Sequence, residues 1–488
     1  MGDKSMRENP TGDSDSLRPP LSLLEPAALV HAGLLLVFAT WAFGGNVGWA
    51  RTIISWWGSA GALITLGAVF RGSSGRVLRW LWPLLAFNLL VLASCLNPSF
   101  SARTFGGESL LVRSGGVPWL PGSAEPAASL RALWLFDSVF LPGLNLALCL
   151  RQRKALRWLL ILATGNALVL SIFGTVQKLT GAGLFFGLRE SPNPFFFSTF
   201  IYHNHWGAFA ILSASACAGL VFHYAIRHKA RDFWHSPAFV GTVGLLFIAA
   251  TAPLSESRSG TLLILLLAGV MLVHALWQRR KQRGASMASL AWWSVVALAA
   301  ALVLAAGIYK LDEQGFKVRA ELTRQQIEQM HAAGGLGGRS LLYHDTWQMA
   351  RDRLWFGWGF DSYARVFMIY NTQKSVDRLP VFYAQAHSDW LQSIAETGLL
   401  GTALIGLLGA MPLLTLRRHH FSHPLVFYPL LGCAFVLLYA WVEFPFECPA
   451  VAVAFWMDFF IAVRFARLLD CEPAVPAGSS AGFNLVPS

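Results

Sequence analysis

Charged residues are scarce in this chain: Asp, Glu, Lys and Arg make up 13% of its 488 residues, whereas a soluble domain carries about 25%. Hydrophobic residues reach 55%, and the mean hydropathy is +0.49. This composition excludes a soluble globular protein and predicts an all-α, polytopic membrane protein. The net charge of +12 does not indicate nucleic-acid binding, because Lys and Arg cluster in the loops on one side of the predicted spans.

Cysteine is also scarce, with six residues and no C-x-x-C pair, so no disulfide framework is predicted. A single bridge between Cys95 and Cys448 stays open, because both are expected near the same face of the membrane. The phosphate-binding P-loop and a pair of acids spaced for a retaining glycosidase are both absent. No cofactor is predicted.

Twelve apolar segments are long enough to cross a bilayer as helices, which takes about 20 residues each. Lys and Arg concentrate in alternate loops, and this asymmetry predicts that those loops and both termini are cytoplasmic. The predicted spans are 27–45, 52–70, 77–95, 132–150, 158–178, 205–226, 237–254, 260–277, 290–309, 396–416, 424–442 and 450–468.

The longest predicted loop, 310–395, is the only connection long enough for a small folded unit. Its ten basic and nine acidic residues nearly balance, as in a solvated domain. Residues 316–330 and 339–352 are each predicted to form a helix, and a glycine turn opens "FGWGFDSYARVF". The predicted organisation is a disordered tail 1–25, spans one to nine within 26–309, the helical loop domain 310–395, spans ten to twelve within 396–468 and a disordered tail 469–488.

Two arginines are candidates for anion binding. Arg258 stands in "APLSESRSGTLL", a short outer link between two spans. It is either part of a capped turn, paired with Glu256, or an anion site, since a guanidinium binds phosphate through two parallel hydrogen bonds and stays charged when partly buried. Arg339 follows "GGLGG" and opens the second loop helix. It is either a surface residue after a hinge or an anion ligand at a helix start.

His387 is the candidate for proton transfer, in "AQAHSDWLQSIAETGLLG". If this stretch is one helix, His387 shares a stripe with Trp390, Leu391 and Ile394, so that a polar ring lies on an apolar face. One interpretation is a buried structural histidine. The other is a general base aimed into a cavity beneath the loop, because imidazole titrates near neutral pH.

The segment "YHNHWG" begins the sixth predicted span and carries two histidines. A catalytic zinc ion usually takes three protein ligands, and no third ligand follows at a suitable spacing, so no metal site is predicted. Asn204 is a candidate helix cap. The surrounding aromatic side chains fit a membrane-interface belt or a sugar-binding surface. The predicted substrate-binding residues are Arg258, Arg339, His203, Asn204, His205 and Tyr343.

Taken together, these segments resemble the O-antigen ligase and O-antigen polymerase superfamily of bacterial membrane glycosyltransferases. The resemblance covers roughly 190–460 and is carried by "YHNHWGAFA", by "GGRSLLYHDTWQMARDRLWFGWGFDSYARVF" and by "AHSDWLQSIAETGLLG". There are two departures from the family pattern. Leu354 and Trp355 replace the usual proline after the loop aspartate, and Ser388 replaces the usual asparagine after the key histidine.

The resemblance implies a metal-independent glycosyltransferase of the bacterial inner membrane that acts on the periplasmic face. Its donor would be a glycan on undecaprenyl pyrophosphate, and its acceptor a hydroxyl of the lipid A core or of another glycan. By their motif positions, Arg258 and Arg339 match arginines that neutralise the pyrophosphate leaving group. His387 matches the histidine that orients or deprotonates the acceptor hydroxyl in an inverting displacement. The resemblance also implies contact with membrane lipids, and it implies no nucleic-acid partner.

Three alternatives remain open. A ligase and a polymerase of the same superfamily share a donor and differ in their acceptor, which these residues do not specify. A lipid-linked oligosaccharide flippase would be expected to carry charges within its spans and short loops on both sides, and a structural protein would use the 310–395 loop for docking. The concentration of Arg and His candidates on the outer side favours the enzyme.

Overall fold

The computed structural model describes most of the chain. The predicted span 290–309, nearly all of the predicted helix 316–330 and most of both predicted tails lie outside the described residues. These are 23–70, 79–105, 108–113, 116–117, 119–180, 184–186, 189–191, 195–225, 235–281, 338–373 and 382–471, with the single residues 75, 193, 321, 324 and 328.

Helices dominate the described residues, and only two small antiparallel hairpins accompany them. The hairpins pair β1 (Phe100–Phe105) with β2 (Glu108–Arg113) and β3 (Leu184–Phe185) with β4 (Arg189–Glu190). The helices are α1 Leu24–Trp41, α2 Gly48–Phe70, α3 Leu81–Cys95, α4 Pro126–Cys149, α5 Arg153–Leu179, α6 His203–Ala225, α7 Pro237–Leu254, α8 Arg258–Lys281, α9 Gly338–Asp352, α10 Tyr363–Tyr370, α11 Asp389–Leu413, α12 Pro424–Tyr439 and α13 Pro449–Leu469.

The helix lengths confirm a polytopic membrane protein. In the described part of the chain, nine helices are long and apolar enough to cross a membrane, and α3 and α12 are apolar but shorter. These helices coincide with eleven of the twelve predicted spans. The hairpins were not predicted, because short strands within polar loops leave little periodic signal.

Helices α6 and α13 form the centre of the bundle and are buried along most of their length. Helix α6 packs against α7, α8 and α12, while α13 packs against α4. Small residues let the backbones approach, as is common where lipid provides no hydrophobic drive for association. A Cβ added to Gly58 of α2 would lie 2.3 Å from the Cβ of Ser138 in α4. The side-chain amide of Asn145 in α4 donates to Gly61 O in α2 at 2.8 Å, which joins the same two helices.

The described part of the segment 338–395 lies at one end of the bundle, called here the loop-side end. Its helices α9 and α10 share a small apolar core with the start of α11, built from Leu342, Met349, Trp358, Tyr363, Phe367 and Ala395. The second predicted loop helix is thereby confirmed as α9, and the predicted glycine turn is present, with Gly357 and Gly359 at φ values of 70° and 108°.

Glycines fasten this segment to α11 by backbone contact. Helix α11 is kinked at Gly398, whose φ is 67° and ψ −177°. A Cβ at Gly398 would lie 2.3 Å from the backbone of Trp355, and one at Gly357 would lie 2.3 Å from the backbone of Glu396. The N–H of Trp358 then donates to Ala395 O at 3.0 Å. These two glycines therefore allow the close backbone contact that keeps α9 and α10 over the start of α11.

The possible disulfide does not form. Cys95 and Cys448 are both free thiols. The Cys95 thiol bonds Pro126 O at 3.6 Å, and the Cys448 thiol bonds Gly44 O at 3.1 Å. The two cysteines therefore have separate backbone partners.

Candidate active site

His387 lies at the loop-side end, but not on a helix. The interpretation that placed it on a helical stripe is wrong, because α11 begins at Asp389 after the N-cap Ser388, and His387 has a left-handed φ of 52°. The Ser388 hydroxyl accepts the N–H of Leu391 at 3.4 Å. Since Ser and Asn are equivalent as N-caps, the departure from the family pattern at this position keeps the cap.

Tyr343 holds the backbone of His387. Its hydroxyl, on α9, donates to the carbonyl of His387 at 2.9 Å. Burial raises the pKa of Tyr343, so the phenol keeps the proton that it donates. This predicted substrate-binding residue thus has a direct contact with the predicted base.

Arg339 lies one turn before Tyr343 on the same helix. Its Nη1 donates to Val442 O at 3.1 Å, and its Nη2 donates to a carboxylate oxygen of Glu443 at 2.8 Å. The side chain is 46% exposed, and these bonds use two of the five N–H groups of a guanidinium. Arg339 is therefore anchored yet open to a ligand.

Glu443 is the residue on which these groups converge, and sequence analysis missed it. It is 3% exposed, in the link between α12 and α13. Its Oε1 accepts the Arg339 bond, while its Oε2 lies 3.7 Å from His387 Nδ1 and 3.4 Å from the Tyr202 hydroxyl. Burial alone would raise the pKa of Glu443, but His387 and Arg339 hold that pKa below its usual value. Glu443 is therefore an ionised carboxylate at neutral pH.

The ring of Phe444 packs beside His387. It meets the imidazole edge to face at a centroid distance of 4.9 Å and stacks on Tyr202 at 5.2 Å. His205 contacts the same ring at 5.2 Å. Aromatic contacts of this kind restrict ring orientation, so Phe444 fixes the plane of His387 while Glu443 faces its Nδ1.

Arg258 is exposed and is the first residue of α8. The preceding Ser257 bonds the hydroxyl of Tyr439 at 3.0 Å, and that hydroxyl donates to Asn204 O at 3.0 Å. A Cβ at Gly260 would lie 2.9 Å from the Cα of Gly207. The glycines of the "SRSG" and "HWG" segments therefore let α8 and α6 start side by side.

A continuous chain of hydrogen bonds connects the Arg258 turn to Arg339. From Asn204, the side-chain amide donates to the Tyr202 hydroxyl at 2.8 Å, and Tyr202 bonds Glu443 at 3.4 Å. Glu443 then bonds Arg339. Asn204 lies inside α6, which begins at His203, so its predicted role as a helix cap is wrong. It bridges between the two arginine-bearing elements.

His203 and His205 have separate partners. The Nδ1 of His203 bonds Phe195 O at 3.0 Å, whereas the Nδ1 of His205 bonds the side-chain amide of Asn46 at 3.0 Å. Residues two apart on a helix do not face each other. Both imidazoles are nevertheless within 5.2 Å of the Tyr202 ring by centroid distance, so they line the same part of the loop-side end.

Among the described residues, metal-ligating side chains group together at the opposite end of the bundle. His419, His420 and Asp470 bring their ligating atoms within 4.8 Å of one another. The Nδ1 of His420 accepts the N–H of Arg417 at 3.0 Å, and its Nε2 lies 2.9 Å from Asp470. Since Nδ1 is the acceptor, Nε2 carries the proton. This arrangement is a hydrogen-bonded group rather than an open metal site.

Comparison with protein families identifies the class. Residues 243–406 match the family described as O-antigen ligase, a range that includes Arg258, Arg339 and His387. This part of the chain is thus similar to the O-antigen ligase family, as the motifs indicate, and the match supports a glycan-transferring membrane enzyme with glycan substrates. A search of curated proteins finds no significant match.

Proposed function

We propose that this protein transfers a glycan from undecaprenyl pyrophosphate to an acceptor hydroxyl, in the manner of an O-antigen ligase. The observation that carries the proposal is the convergence of Arg339 and His387 on the buried carboxylate of Glu443. Arg339 and His387 lie within the residues that match the family, and Glu443 lies beyond them in the chain. An anion-binding group and a base are the two groups that displacement of a pyrophosphate requires.

The reaction begins with the pyrophosphate bound by Arg258 and Arg339. A guanidinium suits this task, because it binds phosphate oxygens through two parallel hydrogen bonds and stays charged. As the bond between the anomeric carbon and the phosphate oxygen breaks, negative charge grows on that oxygen, and the arginines stabilise it. No proton has to reach the leaving group.

His387 acts on the acceptor. With Nδ1 turned toward Glu443, the proton of the neutral imidazole belongs on Nδ1, so Nε2 carries the lone pair. Nε2 takes the proton of the acceptor hydroxyl while its oxygen attacks the anomeric carbon from the side opposite the leaving group. The attack inverts the configuration at that carbon. The Nδ1–Glu443 separation of 3.7 Å is slightly longer than a hydrogen bond, as is common in active sites without substrate.

We further propose that the loop-side end faces the periplasm of a bacterial inner membrane. Basic side chains concentrate at the opposite end, where α4, α11 and α13 terminate, at Arg151, Arg153, Arg417, Arg418 and Arg467. By the positive-inside rule, we expect that end to face the cytoplasm. A lipid-linked donor would then lie with its chain in the bilayer and its pyrophosphate at the level of Arg258 and Arg339.

Deleting the gene and comparing surface glycans tests the function. For a ligase, we expect long lipid-linked chains to accumulate while the acceptor core stays bare. Single repeat units attached to the core would instead assign a polymerase of the same superfamily. Lipid-linked glycan retained on the cytoplasmic face would assign a transporter, and unchanged glycans would refute both enzyme assignments.

A further inference from the structure

The turn before Arg258 contains a residue other than glycine in the left-handed backbone conformation. Only Ser255, Glu256 and Ser257 separate α7 from α8, and Glu256 has a φ of 65°. For a residue with a side chain, this conformation is strained. Contacts elsewhere must therefore hold the turn in place.

Lys178, from the last turn of α5, supplies such a contact. Its ammonium donates to Leu254 O at 2.8 Å and to Oε1 of Glu256 at 2.9 Å. The two side chains are 26% and 23% exposed, so solvent screens this pair less than a surface ion pair. The first bond also places a cation at the C-terminal end of α7, where the carbonyls lack helical partners.

Sequence analysis did not identify this contact of Glu256. The capped-turn interpretation considered only Arg258, two residues along the chain, and the structure shows that the carboxylate has a partner on another helix. Ser257 is held from the other side by Tyr439. The start of α8 is thus fixed between α5 and α12.

We propose that Lys178 and Glu256 are a positioning pair that directs Arg258 toward the donor pyrophosphate. The inference rests on the proposed function, because it takes donor binding as the role of Arg258. When the pair is broken, the left-handed turn relaxes and Arg258 shifts, so donor binding weakens. His387 and its contacts lie on other elements, so acceptor binding is unaffected.

Steady-state transfer kinetics of the full-length protein in proteoliposomes test the pair. We expect Lys178→Met and Glu256→Gln each to raise the donor KM about tenfold, with the acceptor KM unchanged and kcat within about twofold. Because glycine adopts a positive φ without strain, Lys178→Met combined with Glu256→Gly should bind donor more tightly than Lys178→Met alone. Lys154→Met, at the other end of α5, is the matched control and should leave the donor KM unchanged.

Three outcomes would overturn the proposal in different ways. A raised donor KM in Lys178→Met with a normal value in Glu256→Gln would make Lys178 a phosphate ligand rather than a positioning residue. Normal donor KM values in both variants, with transfer abolished in Arg258→Ala, would remove the positioning pair and leave the proposed function standing. Full activity in Arg258→Ala would remove the donor site and the pair together.

Discussion

Replacing Glu443 with Gln isolates the charge that links the two halves of the candidate site. The amide keeps the size of the carboxylate, so packing in this 3% exposed position is preserved. Its NH2 group donates, however, and turned toward His387 it requires Nδ1 to accept. The imidazole proton then moves to Nε2, and the lone pair that would take the acceptor proton is lost.

The magnitude follows from the contacts. A general base typically contributes about 10²–10⁴-fold to the rate. Since the imidazole itself remains, we expect kcat to fall about 10²-fold, equivalent to about 2.7 kcal/mol in the activation free energy. The amide oxygen still accepts from Arg339, but the ion pair is lost, and this also lowers stability. Because the Arg339 side chain is 46% exposed, solvent screens the pair and the loss should be about 1 kcal/mol.

Transfer of a lipid-linked glycan by purified protein measures this effect, with Glu443→Asp as the control that keeps the charge. His387→Ala should cost at least as much as Glu443→Gln, and the double variant should be no slower than His387→Ala alone. Such non-additivity is expected when one residue acts through the other. Additive losses, or a Glu443→Gln variant with wild-type kcat, would refute the view that Glu443 sets the tautomer of His387.

Three further predictions concern the same framework. Gly398→Ala should destabilise the protein by about 3 kcal/mol, because its backbone region is restricted to glycine and its Cβ would overlap Trp355; Gly409→Ala, with nothing within 4 Å of its added Cβ, should leave the melting temperature unchanged or slightly raised. Arg339→Lys should raise the donor KM about tenfold with little change in the acceptor KM, since an ammonium lacks the two-pronged fork; an unchanged donor KM would contradict a bidentate contact. The pKa of Glu443 is lowered from 4.5, so its ion pair stabilises the fold above that pH and is lost as the pH falls through the lowered value. The melting temperatures of the wild type and of Glu443→Gln should therefore differ at pH 7 and converge in acid. A difference that stays constant with pH would argue against the ion pair.

The helical bundle could be predicted from the sequence because membrane-spanning helices have a clear sequence pattern. Each span needs a long apolar run, and the bilayer admits few other structures. The loop helix bearing Arg339 was also predictable, since a glycine-rich breaker precedes it. The position of His387 was not. The apolar periodicity predicted a helix that includes His387, whereas the helix begins only after the N-cap Ser388, which follows His387 in the chain.

Glu443, at the centre of the site, could not be predicted from the sequence for a different reason. Glu443 contacts residues 104 and 241 positions away in the chain, and no local pattern encodes such a meeting. The available signal was an acid in a short link between two predicted spans, since ionisable residues at membrane level are costly without a partner. Local sequence likewise gave no sign that Lys178, 78 positions away, pairs with Glu256.

The central claim is that Arg258, Arg339 and His387 act together in glycan transfer. It is tested most directly by incubating the purified protein in proteoliposomes with an undecaprenyl pyrophosphate-linked glycan and a hydroxyl-bearing acceptor, and by measuring the linked product. The account predicts product formation by the wild type, and at least about 10²-fold less by Arg258→Ala, Arg339→Ala and His387→Ala variants that elute and melt as folded protein. Full transfer by the His387 variant, or by both arginine variants, would contradict it.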